Sequence, residues 1–141
     1  MGQDGWPIAR ALLLPTIEGM RILAVDDDKD IREFYRSFLR ESGHEALLAA
    51  NGREALLLAQ HRPDAIVLDL GLPGMDGYEV LQSLQADPGT RDIPVVIVTA
   101  HPIAKGIDLA GVVGVLRKPY DVPLLALTIE RAIARGAGSL T

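Results

Sequence analysis

Five short apolar runs punctuate this chain, and each is followed by a stretch with helical spacing or helix-end signals. The runs are "MRILAV" (Met20 to Val25), "HEALLAA" (His44 to Ala50), "AIVLDL" (Ala65 to Leu70), "IPVVIVTA" (Ile93 to Ala100) and "VVGVLRKP" (Val112 to Pro119). After the first, Ile31, Phe34, Tyr35, Phe38 and Leu39 recur on one face of a helix, and Gly43 stops it. Asn51 to His61 reads as a second helix, capped by Asn51 or Gly52 and halted before Pro63. Gly77 to Gln85 is a third, Pro102 to Gly111 a short, weak fourth, and Asp121 to Ile133 a fifth with Pro123 in its first turn. Strict alternation of strand and helix predicts an α/β fold, a doubly wound five-stranded parallel sheet with helices on both faces. The third and fourth runs are apolar at every facing, as strands covered from both sides require.

Open parallel sheets bind ligands beyond the carboxyl ends of their strands, so the residues ending each run matter most. Run one ends at Asp26 and Asp27, run three at Asp69, run four at Thr99 and run five at Lys118. Run two ends in Ala49 and Ala50, which offer no chemistry. With strand order 2-1-3-4-5 the acids of runs one and three are neighbours. Carboxylates about 5 Å apart repel by about 3 kcal/mol per pair at an effective dielectric near 20, which a hard divalent cation relieves. Mg²⁺ takes one or two carboxylates, waters and a phosphate oxygen. Lys118 adds a point charge suited to phosphate and Thr99 a hydroxyl donor. The set reads as phosphoryl chemistry on an aspartate nucleophile.

Each of these residues has an ordinary explanation when taken alone. Asp26 to Asp28 could be a solvated loop, Lys118 a surface lysine and Thr99 a good strand former. Their shared place at the strand ends makes the case. Asp28, by contrast, suits a helix N-cap, and Asp30 sits in a first turn where negative charge favours the helix dipole.

The chain has 141 residues and a net charge of −5, room for one ordinary domain and no basic excess for nucleic acid. It has no cysteine and three scattered histidines, which removes thiolate chemistry and makes structural zinc a poor fit. No apolar run approaches the roughly 20 residues that span a bilayer. "IARALLLP" (Ile8 to Pro15) is the only stretch like a signal-peptide core, but it lacks a basic cluster before it and a small-x-small site after it. A cytoplasmic protein without membrane contact is expected. Residues 1–19 are interrupted by Gly2, Gly5, Pro7, Pro15 and Gly19 and read as a flexible extension, 20–135 as the domain, and 136–141 as a short tail.

The motifs "VDDD", "LDLGLPGMDG", "IVTA" and "LRKPY", in this order and at these strand ends, resemble the receiver domain of bacterial two-component response regulators, in particular stand-alone, chemotaxis-regulator-like ones. The most specific is the second, with Pro73 four residues after Asp69 and Asp76-Gly77 seven and eight after it. The resemblance runs from Arg21 to about Arg135. It implies a flavodoxin-like fold, Asp69 as phosphoacceptor, and Mg²⁺ held by Asp26, Asp27, Asp69 and the backbone carbonyl of Gly71. Thr99 and Lys118 would contact the phosphoryl group, Pro73 and Gly77 shape the loop after strand three, and Ala100 keep the pocket open. The Lys118–Pro119 bond would be cis. The implied donor is a sensor histidine kinase or histidine phosphotransfer protein, and self-phosphorylation and self-dephosphorylation would be the only catalysis.

Two departures stand out. Three residues before the lysine the family usually has Tyr or Phe, and here stands Val115. The predicted fourth helix is short, with Gly106, Gly111, Ile103 and Ile107 in it, so signal transmission is expected to depart from an aromatic switch. Only "GAGSLT" follows the last helix, so a stand-alone regulator or an excised module is expected. Its partner or homodimer surface would be the fourth-helix/fifth-strand/fifth-helix face. Two other readings compete. A non-phosphorylated pseudo-receiver would serve only as an interaction module. A haloacid-dehalogenase-type phosphatase would need an acid two residues after its nucleophile, where this chain has Gly71.

Overall fold

The computed structural model describes residues 19–138; all but Gly19 of the expected extension 1–19, and residues 139–141 of the expected tail, lie outside the described part. Five parallel strands form one sheet in the order β2-β1-β3-β4-β5. They are β1 (Arg21–Val25), β2 (Glu45–Ala49), β3 (Ala65–Asp69), β4 (Val95–Thr99) and β5 (Val112–Arg117). Three helices connect them, α1 (Lys29–Glu41), α2 (Gly52–Ala59) and α3 (Gly77–Ala86), and α4 (Val122–Gly138) follows β5. This is the doubly wound parallel sheet that the alternation predicted, in the flavodoxin-like order that the resemblance implies.

Strand periodicity of two divides the core into two layers. Leu23, Val25, Ile66, Leu68, Val95 and Ile97 pack against α2 and α3. Ile22, Ala24, Ala65, Val67, Val96 and Val98 pack against α1 and α4 through Tyr35, Leu39, Leu125 and Ile129. All five residues of β3 and of β4 are buried, which explains their unbroken apolar runs.

Side-chain caps set where the helices begin. Asp28 accepts the Asp30 N–H at 2.8 Å at the start of α1. Asn51 accepts the Glu54 N–H at 2.9 Å while Glu54 accepts the Ala50 N–H at 2.7 Å, a reciprocal capping box. Asp76 accepts the Glu79 N–H at 2.9 Å at the start of α3. Gly43, with φ of 88°, ends α1 in the left-handed region that glycine adopts most readily.

The predicted helix over Pro102 to Gly111 does not form, and the segment crosses as turns. Gly106 and Gly111 sit at φ of 81° and 84°, conformations that interrupt a right-handed helix. Neighbouring side chains satisfy the backbone instead. The Tyr78 hydroxyl accepts the Ala104 N–H at 2.9 Å, and Gln85 Nε2 donates to the carbonyls of Asp108 and Ala110, each at 2.9 Å. Ile103 and Ile107 still pack against the α2–α3 layer. The alternation therefore breaks once, between β4 and β5, and the face expected to carry a fourth predicted helix carries a pinned loop.

Candidate functional site

Register decides which side chains meet. Val25 pairs with Leu68, so the next residues, Asp26 and Asp69, emerge side by side from β1 and β3. Asp69 pairs with Val98 and Thr99 with Arg117, so Thr99 and Lys118 leave β4 and β5 just beyond the same edge. Asp26 is 2% and Asp69 7% exposed, whereas Asp27 faces solvent. One carboxylate oxygen from each of Asp26, Asp27 and Asp69 lies within 4.8 Å of the others. Lys118 Nζ closes the group, donating to Asp69 Oδ2 at 3.0 Å and Asp26 Oδ2 at 3.2 Å.

Backbone donors hold the acids in place. Gly71 N–H donates to Asp69 Oδ1 and Asp28 N–H to Asp26 Oδ1, both at 2.9 Å. Arg32, one turn into α1, donates from Nη1 to the Asp26 carbonyl at 3.0 Å. Neither Arg32 nor the Asp28 N–H emerges from the sequence reading. A cation four residues after the helix cap is the only signal that could have pointed to Arg32.

Burial pushes the Asp26 carboxyl above its ordinary range, the Asp28 N–H and Lys118 oppose this, and Asp69 reinforces it. For Lys118 burial acts to lower the pKa, but Asp69 and Asp26 outweigh it and hold the ammonium more firmly protonated than usual. One ammonium against three acids leaves the group short of positive charge.

Thr99 is buried at the rim, yet its hydroxyl donates to the His101 carbonyl at 2.9 Å and accepts the His101 N–H at 3.1 Å. The hydroxyl is engaged with the loop after β4, not with Asp69 or the Lys118 ammonium, although the Thr99 carbonyl accepts the Lys118 backbone N–H at 2.8 Å. Gly71 is exposed beside Asp69, and the bond found for it runs through its N–H. Gly77 permits a close approach at the start of α3: a Cβ there would stand 2.3 Å from Leu70 Cα and 2.7 Å from the Asp69 carbonyl oxygen. Pro73 and Ala100 are exposed at the same edge. The Lys118–Pro119 bond is cis.

The donor set is all oxygen, carboxylate-rich and partly open to water, which suits a hard divalent cation and not zinc or copper. Asp26, Asp27 and Asp69 are the residues that could hold it.

Comparison with known proteins agrees with this geometry. The response regulator receiver domain family matches residues 22–130. The chain belongs to this family. It is 37% identical over 117 residues to protein Rrf1 of Nitratidesulfovibrio vulgaris, covering 81% of this chain and 83% of that one. It is 40% identical over 121 residues to response regulator MprA of Mycobacterium leprae, covering 82% of this chain and 52% of MprA. The receiver thus spans most of the first relative and about half of the second. Among solved structures it resembles the receiver domain of a Pseudomonas aeruginosa sensor histidine kinase, with TM-score 0.74, 30% identity, and coverage of 82% of this chain and 98% of that one. That structure has a magnesium ion coordinated in its active site cleft. Receiver domains are signalling modules of two-component systems, not conventional enzymes. No helix among the described residues is long and apolar enough to cross a membrane.

Proposed function

We propose that Asp69 accepts a phosphoryl group from a phosphohistidine of a sensor kinase or phosphotransfer protein, with Mg²⁺ held by Asp26, Asp27 and Asp69 and completed by the Gly71 carbonyl. The observation that carries this reading is the convergence of three carboxylates and Lys118 on one sheet edge. When bound, the cation supplies positive charge that offsets the acids and the phosphoryl oxygens.

The chain's own residues do the rest. Gly71 N–H holds Asp69 Oδ1 and Lys118 holds Oδ2, which together set the orientation from which the carboxylate attacks phosphorus in line. The new bond joins a carboxylate oxygen to phosphorus, and the bond from phosphorus to the donor nitrogen breaks with its electron pair staying on the ring, which leaves as neutral imidazole because its other nitrogen carries a proton. Lys118, kept charged by its two carboxylates, then follows a phosphoryl oxygen, an interaction suited to its compact ammonium. For Thr99 to donate to another phosphoryl oxygen it must release the His101 carbonyl. That exchange would be felt in the loop over 101–111, which Tyr78 and Gln85 pin to α3, in place of an aromatic switch at Val115. The surface of β5 and the start of α4, with Val115, Leu124 and Leu127 exposed, is the face that would carry the signal to a partner or a second copy.

A hydrolase reading is weaker, since Gly71 stands where a second acid would be needed. The test is incubation with acetyl phosphate and Mg²⁺ followed by intact-mass measurement. Wild type should gain one phosphoryl group, and neither Asp69→Ala nor EDTA-treated protein should. Absence of label on wild type would instead favour a pseudo-receiver.

A further inference from the structure

Residues 101–110 join β4 to β5 with neither helix nor strand, and most of them are exposed. The Leu109 carbonyl accepts the Val112 N–H in the turn into β5. Otherwise, among the described residues, three side chains supply the segment's hydrogen bonds to the rest of the domain. Thr99 holds both backbone groups of His101 at one end. The Tyr78 hydroxyl accepts the Ala104 N–H in the middle, and Gln85 Nε2 donates to the Asp108 and Ala110 carbonyls at the far end, each at 2.9 Å. Half-buried Ile103 and Ile107 add apolar contacts.

Tyr78 and Gln85 stand two turns apart on one face of α3, about 10.5 Å along its axis. The helix thus grips the segment at two points. The Thr99 hydroxyl has a single proton, which the His101 carbonyl takes in this structure. Once that proton turns to a phosphoryl oxygen, His101 loses the bonds that fix the segment's start, and its exposed backbone finds water instead. Contacts made in only one of two states favour that state, and a ligand that prefers the other binds more weakly by the same factor.

We propose, on the roles given above to Asp69 and Thr99, that Tyr78 and Gln85 are positioning residues that latch residues 101–110 in the phosphate-free arrangement and so weaken binding of the phosphoryl group. When Thr99 turns to phosphate the segment shifts, and the bonds from α3 are given up with it. With Gly106 in a left-handed conformation the segment has no helix to hold it, and the two α3 side chains hold it instead. A neutral hydrogen bond lost from one state alone moves such a balance by roughly two- to tenfold.

Fluorine NMR titration with the phosphoryl mimic beryllofluoride at saturating Mg²⁺ tests the latch. Tyr78→Phe removes only the hydroxyl and should lower the dissociation constant by roughly two- to tenfold. Gln85→Ala, which loses two bonds, should lower it at least as much. Gln60→Ala removes a side-chain bond of the same kind, to Asp87 at 3.0 Å, outside the segment, and should leave it unchanged. In Thr99→Ala protein no hydroxyl links the site to His101, so adding Tyr78→Phe should change the constant by less than about twofold. Unchanged or weaker binding by Tyr78→Phe and Gln85→Ala, or an equal gain in the Thr99→Ala background, would overturn the latch and leave the role of Asp69 standing. Wild type that takes up no beryllofluoride would overturn both.

Discussion

Asp26→Asn should stabilise the metal-free protein and destabilise it, relative to wild type, once Mg²⁺ is present. Asp26 lies within 4.8 Å of a carboxylate oxygen of Asp69, so at an effective dielectric of ~20 their repulsion is at least about 3.5 kcal/mol. Lys118 at 3.2 Å returns about 5 kcal/mol on the same scale, and solvent-facing Asp27 adds a screened repulsion. These Coulomb contributions nearly cancel, which leaves the burial of a 2%-exposed carboxylate uncompensated. Asparagine removes the charge but weakens one of the two hydrogen bonds, to Asp28 or to Lys118, for a net gain of about 1–2 kcal/mol. At about 4 °C per kcal/mol for a domain of this size, Tm in EDTA should rise by about 4–8 °C.

The same substitution fixes a pH signature. The Asp26 carboxyl titrates above 3.8 in the folded protein, so the native state holds a proton that the unfolded chain has already lost. Stability therefore falls as pH rises from 3.8 through the raised folded value, and the variant escapes that fall. Its advantage should be absent at the acid end of this window and complete at neutral pH. Mg²⁺ at a hundredfold its dissociation constant adds about 2.7 kcal/mol to wild type. The variant, lacking one ligand, should gain far less, so the order reverses. Urea denaturation at pH 4 and 7.5, with EDTA or Mg²⁺, reads all four conditions. A variant less stable than wild type in EDTA at pH 7.5, or one that keeps its lead in Mg²⁺, would refute this charge balance.

Further predictions rest on neighbouring residues. Lys118→Met should cost about 2–3 kcal/mol in EDTA at neutral pH by leaving two buried acids without their ammonium, measured by urea denaturation, with part regained on adding Mg²⁺. Because Lys118 titrates above 10.5 when folded, its contribution is complete below that value and disappears as pH rises through the folded pKa; wild type should therefore lose more stability than Lys118→Met in strong alkali. Gly77→Ala should lower stability by about 3 kcal/mol or more, since its Cβ meets the backbone of Leu70 and Asp69, and should slow labelling from acetyl phosphate. Asn51→Ala removes one half of the α2 capping box and should cost about 1 kcal/mol in thermal unfolding without changing that labelling. Beryllofluoride, a phosphoryl mimic, should shift the amide resonances of His101 and Ala104 along with those around Asp69; shifts confined to the metal loops would exclude output through the 101–111 segment.

The sheet was readable in the sequence because burial on both faces forces unbroken apolar runs, as in "AIVLD" and "VVIVT". The helices carried caps whose chemistry is local, such as Asp28 and Asn51. The site's membership followed from strand ends, since a parallel register carries Asp26, Asp69, Thr99 and Lys118 to one edge. What local signals could not fix was the outcome over 102–111. Weak helix periodicity there competes with Gly106 and Gly111 in left-handed conformations and with distant donors and acceptors on Tyr78 and Gln85. Orientation was equally hidden: nothing local tells that Thr99 turns its hydroxyl to His101, or that Arg32 reaches back to the Asp26 carbonyl.

Asp69 as phosphoacceptor is tested most directly by locating the acyl phosphate itself. Borohydride reduces an aspartyl phosphate to homoserine, which tandem mass spectrometry assigns to one residue. After treatment with acetyl phosphate and Mg²⁺, homoserine should be found at position 69 and at no other aspartate. Homoserine at 26 or 27, or none at any position in protein shown to be folded and Mg²⁺-bound, would contradict the account.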